Sequence, residues 1–300
     1  MPIDEIKRVL FVGGGTMGCV NSLIAAAAGY EAVVYDVSPE ALAQVPARQK
    51  MIAERAVAER GVPQAVVDAA WPRIKIVADP KAAAEGAQLM SESVFENVQV
   101  KRETHQKFDQ LLPPQAIMTT NSSSLPLSEI ETAVKRGDKF AAMHFHGFSP
   151  LVDLVGSART SAQTMGILKR YVRSLGFYPM ILKKEKPGYL HNTLFINLLK
   201  TAALLVADGY GSVEDVDRSW ILVHPPAPGP FGMMDGVGLN VVLQVAEEEH
   251  RQSGSEEAKK LADFVRPYIE RGHLGMKTGQ GFYTYPDPAW MKPDFLTPPD

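Results

Sequence analysis

The feature that most constrains this chain is a run of three glycines between a short apolar segment and an alanine-rich one. Val9-Leu10-Phe11-Val12 carries β-branched and aromatic side chains and stops abruptly at Gly13-Gly14-Gly15, the pattern of a buried strand entering a tight turn. Met17 to Gly29 reads as a helix, and Ala32-Val33-Val34-Tyr35 as a second strand closed by Asp36. Strand, turn, helix and strand in this order make a βαβ unit with parallel strands. Gly13-x-Gly15-x-x-Gly18 fits the dinucleotide fingerprint, whose glycines permit a tight turn, close approach to a pyrophosphate and close helix–strand packing. The pyrophosphate would sit on the helix N-terminus at Thr16 and Met17, where unpaired N–H groups favour negative charge. Asp36 is placed to accept hydrogen bonds from both ribose hydroxyls of NAD and to repel a 2′-phosphate, so NAD is expected over NADP. A plain strand-ending turn residue before Ser38-Pro39 would look the same.

The alternation continues. Pro39 to Ala70 reads as a helical hairpin broken at Gly61-Val62-Pro63, and Ile74 to Val77, Gln88 to Met90, Ile117 to Thr120, Phe140 to Met143 and Met180 to Leu182 read as further strands. The expectation is an α/β chain with a doubly wound, Rossmann-type sheet covered on both faces. After Lys186 the strand pattern disappears. Residues 1–186 are therefore expected to bind NAD, and residues 187–300 to form a smaller, all-helical domain. Its helices run over Tyr189 to Ala207, Val213 to Val223 and about Asn240 to Arg271, with Pro225 to Pro230 as a stiff loop.

Composition excludes several classes. Three hundred residues suggest about two domains, and 45% hydrophobic side chains suffice for a sizeable core. A net charge of -3 lacks the basic field that nucleic acid requires. Cys19 is the single cysteine, and with no signal peptide a reducing, cytoplasmic setting is expected. The most apolar stretch, Thr193 to Ala207, contains Asn197 and Lys200 and falls short of the ~20 clean residues of a membrane span, so a buried helix is expected.

Oxidation of an alcohol by NAD needs a group to take the hydroxyl proton, and histidine titrates in the right range. Of seven histidines, His144 follows an apolar strand at a carboxyl end of the sheet, where open α/β folds bind ligands. His146 would share its side of an extended segment, which permits a metal reading, although two imidazoles are a minimal set and no metal is expected. His105, His250 and His273 read as core or surface groups.

At this point the chain resembles the 3-hydroxyacyl-CoA dehydrogenase family over nearly its whole length. The resemblance is carried by the glycine turn with Asp36, Glu92 to Lys101, Thr120-Asn121-Ser122-Ser123-Ser124-Leu125, Met143-His144-Phe145, Pro187 to Asn192, Gly229 to Asp235 and Gly279 to Tyr283. It implies an NAD-dependent dehydrogenase of L-3-hydroxyacyl substrates that dimerises through the helical domain. Residue by residue, it implies that His144 is the base, that Ser123 and Asn192 hold the substrate oxygen, and that Glu96, Lys101 and Asn121 belong to the cofactor site. The family's glutamate after the histidine has two matches here. Leu151-Val152-Asp153-Leu154-Val155 supplies Asp153 across a three-residue deletion, whereas a deletion-free register supplies Gly156 and no carboxylate; Asp153 is favoured. Two departures bear on substrate: His146-Gly147-Phe148-Ser149-Pro150 replaces Phe-Asn-Pro, and Thr193 replaces an arginine. Relatives that take free hydroxy acids or diketo esters share this frame, including the diketoreductase type. Coenzyme A phosphates could meet Arg48, Lys50, Arg55 and Arg60, or these could form a solvated helix face. Two rivals remain, a dehydrogenase using Lys200 as its acid–base group and a silent NAD-binding structural protein.

Overall fold

The protein is described by a computed structural model covering residues 4–225 and 228–296. The chain divides between Tyr189 and Leu190 into two compact units, a few residues beyond 186.

The first unit is built on one eight-stranded sheet: β1 (Arg8–Val12), β2 (Glu31–Tyr35), β3 (Ile74–Ile76), β4 (Leu89–Glu92), β5 (Ile117–Thr120), β6 (Phe140–Phe145), β7 (Leu151–Gly156) and β8 (Tyr178–Ile181). The spatial order is β3-β2-β1-β4-β5-β6-β7-β8. Its helices are α1 (Thr16–Ala27), α2 (Pro39–Arg60), α3 (Gln64–Ala70), α4 (Pro80–Ala84), α5 (Val98–Leu111), α6 (Leu127–Ile130) and α7 (Ala162–Ser174). In β1 the two-residue repeat sends Val9 and Phe11 into one core with Cys19, Val20 and Leu23 of α1, and Leu10 and Val12 into another with Phe108 and Met118. Both faces are covered, which is why the run is apolar throughout. Between β1 and β4 the strand order reverses, opening the crevice in which ligands of such sheets bind.

The expected doubly wound sheet is present with one addition. Residues 151–156 form a strand that the apolar pattern did not separate from its surroundings, and β7 runs antiparallel to β6. The connection 146–150 is too short for anything else, because a parallel neighbour needs a crossover of about a dozen residues.

The regular elements of the second unit are helices: α8, which opens at Tyr189 (Tyr189–Ala207), α9 (Val213–Val223), α10 (Pro230–Val237), α11 (Leu239–Ser253) and α12 (Glu256–Glu270). Two expectations are corrected here. Pro230 does not belong to a loop but opens α10, where the N–H it lacks would have had no partner in any case; Pro226 and Ala227 of the same stretch lie outside the described residues. The helices expected over about 240–271 are present as α11 and α12, parted at Gly254, whose φ of 70° favours glycine. The second correction concerns α8, which is not a buried helix. Leu199, Ala202 and Ala203 enter the helical core, but Leu190, Leu194 and Leu205 are 50%, 74% and 41% exposed. By length and hydropathy it is, among the described residues, the one helix sufficient to cross a membrane. Its Lys200, however, pairs with Glu249 at 2.9 Å and Glu257 at 3.6 Å, tying it to α11 and α12.

Buried acids organise this unit. Asp217 on α9 accepts from the N–H groups of Phe231 (2.8 Å) and Gly232 (2.9 Å) in the first turn of α10 and from the Tyr283 hydroxyl (3.0 Å). No side chain at Gly229 caps that helix. Replacing Asp217 with Ala leaves three buried donors without an acceptor, so the urea midpoint should fall by the equivalent of about 3 kcal/mol. An unchanged midpoint would show that α10 does not depend on this acid.

Candidate active site

The glycine turn lies at the carboxyl end of β1, beside the exit of β4. Gly13 donates its N–H to the Tyr35 carbonyl and Ser93 donates to Val12, each at 2.7 Å, so turn and neighbouring strands are laced together. The three fingerprint glycines answer to different demands. Gly13 has φ 113°, and a Cβ there would lie 2.5 Å from the Ser93 carbonyl oxygen. At Gly18 a Cβ would lie 1.8 Å from the Gly13 carbonyl oxygen, which forbids any side chain. A Cβ at Gly15 would meet nothing within 4 Å. The backbone is open to an incoming group there, and no side chain caps the amides of α1. Asp36 accepts from Gly14 N–H at 2.7 Å and from Ser38 N–H at 2.9 Å, so it is a turn residue as well as an acid at the strand end. Gly13, Gly15, Thr16, Met17 and Asp36 line one cleft of about 740 Å³ with Ser93, Val94 and Phe95. Open space over Gly15, a free helix N-terminus and a carboxylate for ribose together fit a dinucleotide.

Arg48 lines the same cleft and donates to the Gly14 carbonyl at 2.7 Å, which places it on the cofactor turn. Lys50 and Arg55 pair with Glu54 (4.0 Å) and Glu59 (3.1 Å) one turn along α2, as on a solvated helix face.

Glu92, the last residue of β4, has no role in the sequence reading and is a hub in the structure. Fully buried, it accepts from Lys101 Nζ (2.7 Å), Thr120 Oγ1 (2.7 Å) and Val94 N–H (2.7 Å), and meets His105 Nε2 at 3.2 Å. Burial alone would raise its pKa, but His105 and Lys101 overcome that and bring it down to about 2. An acid ending an apolar strand was the available signal. Lys101 is 1% exposed, and its ammonium also meets the Val94 carbonyl (3.4 Å) and Glu96 Oε2 (3.3 Å). It therefore has no face to offer a cofactor and acts by holding two carboxylates. Glu96 Oε1 in turn gathers Ser122 Oγ (2.5 Å) and the N–H groups of Ser123 and Ser124 (both 2.9 Å), clamping the loop that carries Ser123. Asn121 accepts from Phe145 N–H at 2.8 Å, joining the ends of β5 and β6.

That loop meets His144. Ser123 Oγ lies 3.1 Å from His144 Nε2, and His144 Nδ1 lies 3.3 Å from Asp153 Oδ2. In the β6–β7 ladder His144 is paired directly with Asp153, whereas Gly156 is opposite Ala141, so the nearby carboxylate is Asp153. His146 points to the same side and reaches the same Oδ2 at 2.7 Å. Burial lowers the His144 pKa, with Asp153 opposing; burial raises that of Asp153, but the two imidazoles prevail and lower it. Tyr189, quoted in the sequence reading without a role, stacks its ring on His144 (centroids 4.8 Å apart, planes 13° apart) and donates its hydroxyl to the Ser122 carbonyl at 2.7 Å. It does so at φ 51°, an uncommon conformation for a side-chain-bearing residue.

The structure thus brings together Ser123, His144 and Asp153 in the first unit. Asn192 lies in the first turn of α8, in the second unit. Lys200 is engaged by Glu249 and Glu257, and His105 is a core residue against Phe140 and Glu92.

Comparison with known proteins places these features in a lineage. The NAD binding domain of 3-hydroxyacyl-CoA dehydrogenase matches residues 8–185, and the C-terminal domain matches residues 188–285. Human mitochondrial hydroxyacyl-coenzyme A dehydrogenase is 28% identical over 93% of this chain and 91% of its own. The 5-formyl-3-hydroxy-2-methylpyridine 4-carboxylate 5-dehydrogenase of Mesorhizobium japonicum is 26% identical over 93% of this chain and 91% of its own. A solved diketoreductase superposes with a TM-score of 0.87 at 30% identity, covering 94% of this chain and 100% of that one.

The hub makes a prediction of its own. Glu92→Gln leaves the buried Lys101 ammonium with Glu96 as its one carboxylate partner and should cost about 3 kcal/mol at neutral pH, read by urea unfolding. Because the folded pKa of about 2 lies below the ordinary 4.5, the carboxylate contributes stability above about pH 4.5 that is lost as pH falls toward 2. Wild-type stability should drop more steeply across that window than that of the variant; equal slopes would contradict this.

Proposed function

The chain belongs to the 3-hydroxyacyl-CoA dehydrogenase family, and we propose that it interconverts an L-3-hydroxyacyl substrate and its 3-keto form with His144 as the proton acceptor. It is an NAD-dependent oxidoreductase acting on CH–OH groups. The observation that carries the reading is the pair of opposed contacts on one imidazole. With Nδ1–H donated to Asp153, Nε2 keeps its lone pair and accepts from Ser123. A substrate hydroxyl in the reach of Ser123 presents its proton to that same lone pair. Burial favours the uncharged ring, which is the form a base needs. Asp153 then stabilises the imidazolium that forms, and Ser123 supports the substrate oxygen. NAD supplies the hydride acceptor when bound. The glycine turn and α1 hold its pyrophosphate, and Asp36 holds its ribose.

The preferred substrate is a coenzyme A thioester. A free 3-hydroxy acid or a diketo ester is the second reading, favoured by Thr193 at the position of the family's arginine and by the likeness to diketoreductase. The exposed leucines of α8 support a further reading, a homodimer in which a second copy covers this face.

His144→Ala should lower turnover by about 100-fold or more while NADH still binds; retained turnover removes the mechanism. NADH absorbance, followed with acetoacetyl-CoA, free 3-keto acids and diketo esters, decides among the substrates. Activity confined to the free compounds overturns the thioester, and NADH binding with no oxidation by any of them leaves a silent binding protein. Light scattering should give a dimer that Leu194→Glu, at a 74% exposed position, shifts toward monomer; a wild-type monomer overturns the assembly.

A further inference from the structure

We propose that His144, His146 and Asp153 form a three-ligand seat for a divalent transition-metal ion of the zinc class, and that its occupancy switches the dehydrogenase off. The seat stands independently of the function proposed above, whereas the switching rests on it.

The donor set is the first argument. Two imidazole nitrogens and one carboxylate oxygen are the ligands of zinc sites that keep a fourth position open. The three ligand atoms all lie within 4.8 Å of one another. Metal bonds of about 2.0–2.1 Å in a tetrahedron put ligand atoms about 3.3–3.4 Å apart. His144 Nδ1 already stands 3.3 Å from Asp153 Oδ2, and His146 Nε2, at 2.7 Å, has to withdraw by well under 1 Å. His144 on β6 and Asp153 on β7 project from directly paired positions, and His146 lies one residue past the end of β6. Ligands on strands are held more rigidly than ligands on loops.

The carboxylate itself supplies the second argument. One oxygen of Asp153 serves two imidazoles, while the other, Oδ1, is buried without a hydrogen-bond partner. An alcohol dehydrogenase of this design needs one imidazole at that carboxylate. The second imidazole and the unpartnered oxygen are surplus to proton transfer and suited to a cation. His144 and Asp153 are 5% and 0% exposed at the side chain, and His146, at 10%, offers the way in.

Inhibition follows from proton bookkeeping on the ring. In the hydrogen-bonded state the His144 proton is on Nδ1 and the lone pair on Nε2 faces Ser123. A cation bound at Nδ1 takes the lone pair there, so the ring proton moves to Nε2. No proton leaves the ring, but Nε2 now donates and can no longer accept from a substrate hydroxyl. Metal and base function are mutually exclusive on this imidazole.

The test uses the full chain, stripped of metal by chelator dialysis and titrated with zinc chloride against a chromophoric chelator. One equivalent should bind with micromolar or tighter affinity, and His146→Asn and His146→Gln should each weaken it by about 100-fold. Cobalt(II) in place of zinc should give the intense visible bands of a tetrahedral site. NADH-dependent reduction should fall in proportion to zinc bound and return with EDTA. Absence of stoichiometric binding, or equal affinity in both His146 variants, overturns the seat; full activity with zinc bound overturns the switch. If the metal-free protein reduces none of the 3-keto compounds with NADH, the dehydrogenase reading fails, while the titration and the cobalt spectrum still decide the seat.

Discussion

The antiparallel pairing of β6 with β7 is the constraint on which the geometry around His144 depends. In that ladder Asp153 stands opposite His144, and a slip of one residue would turn its carboxyl to the other face of the sheet. Burial on both faces prevents the slip: Val152 and Leu154 pack into one core and Val155 into the other, so no alternative register keeps them covered. The remaining sides of the imidazole are set by Ser123 and the Tyr189 ring, and Asn121 secures the end of β6 through Phe145.

The serine side of the arrangement traces back to a buried charge two strands away. Glu92 ends β4, and its carboxylate gathers groups from α5 and β5, so three elements converge on one acid. A buried carboxylate is costly unless every oxygen is matched by donors, and here Lys101, His105, Thr120 and the Val94 N–H meet that requirement. Lys101 passes the constraint to Glu96, and Glu96 holds the backbone of residues 122–125. The position of one hydroxyl thus rests on a chain of ionic contacts that starts in the core. In the second unit Asp217 and Asp235 play a comparable part, each collecting backbone N–H groups and a tyrosine hydroxyl.

Legibility in the sequence followed the range of the forces involved. The turn at Gly13, Gly15 and Gly18 and the strand-ending Asp36 could be read because their steric and hydrogen-bonding demands act within one βαβ unit. The break at Gly61 was legible for the same reason. Proline misled once, at Pro230, since the same residue that ends a helix from within is well tolerated as its first residue. The apolar composition of α8 was correctly seen, but composition does not say whether a helix turns its leucines toward its own core or away from it.

What the sequence determined by itself was therefore local: the strands and helices, the cofactor turn, and an imidazole at the end of an apolar strand. Only the tertiary structure decided that Asp153 rather than Gly156 lies across from that imidazole, that His146 shares its carboxylate, and that Lys101 serves two acids, one of them fully buried. Each of those outcomes depends on strand pairing and helix packing between residues distant along the chain, and a linear pattern carries no information on which charge is left to neutralise another once water has been removed from between them.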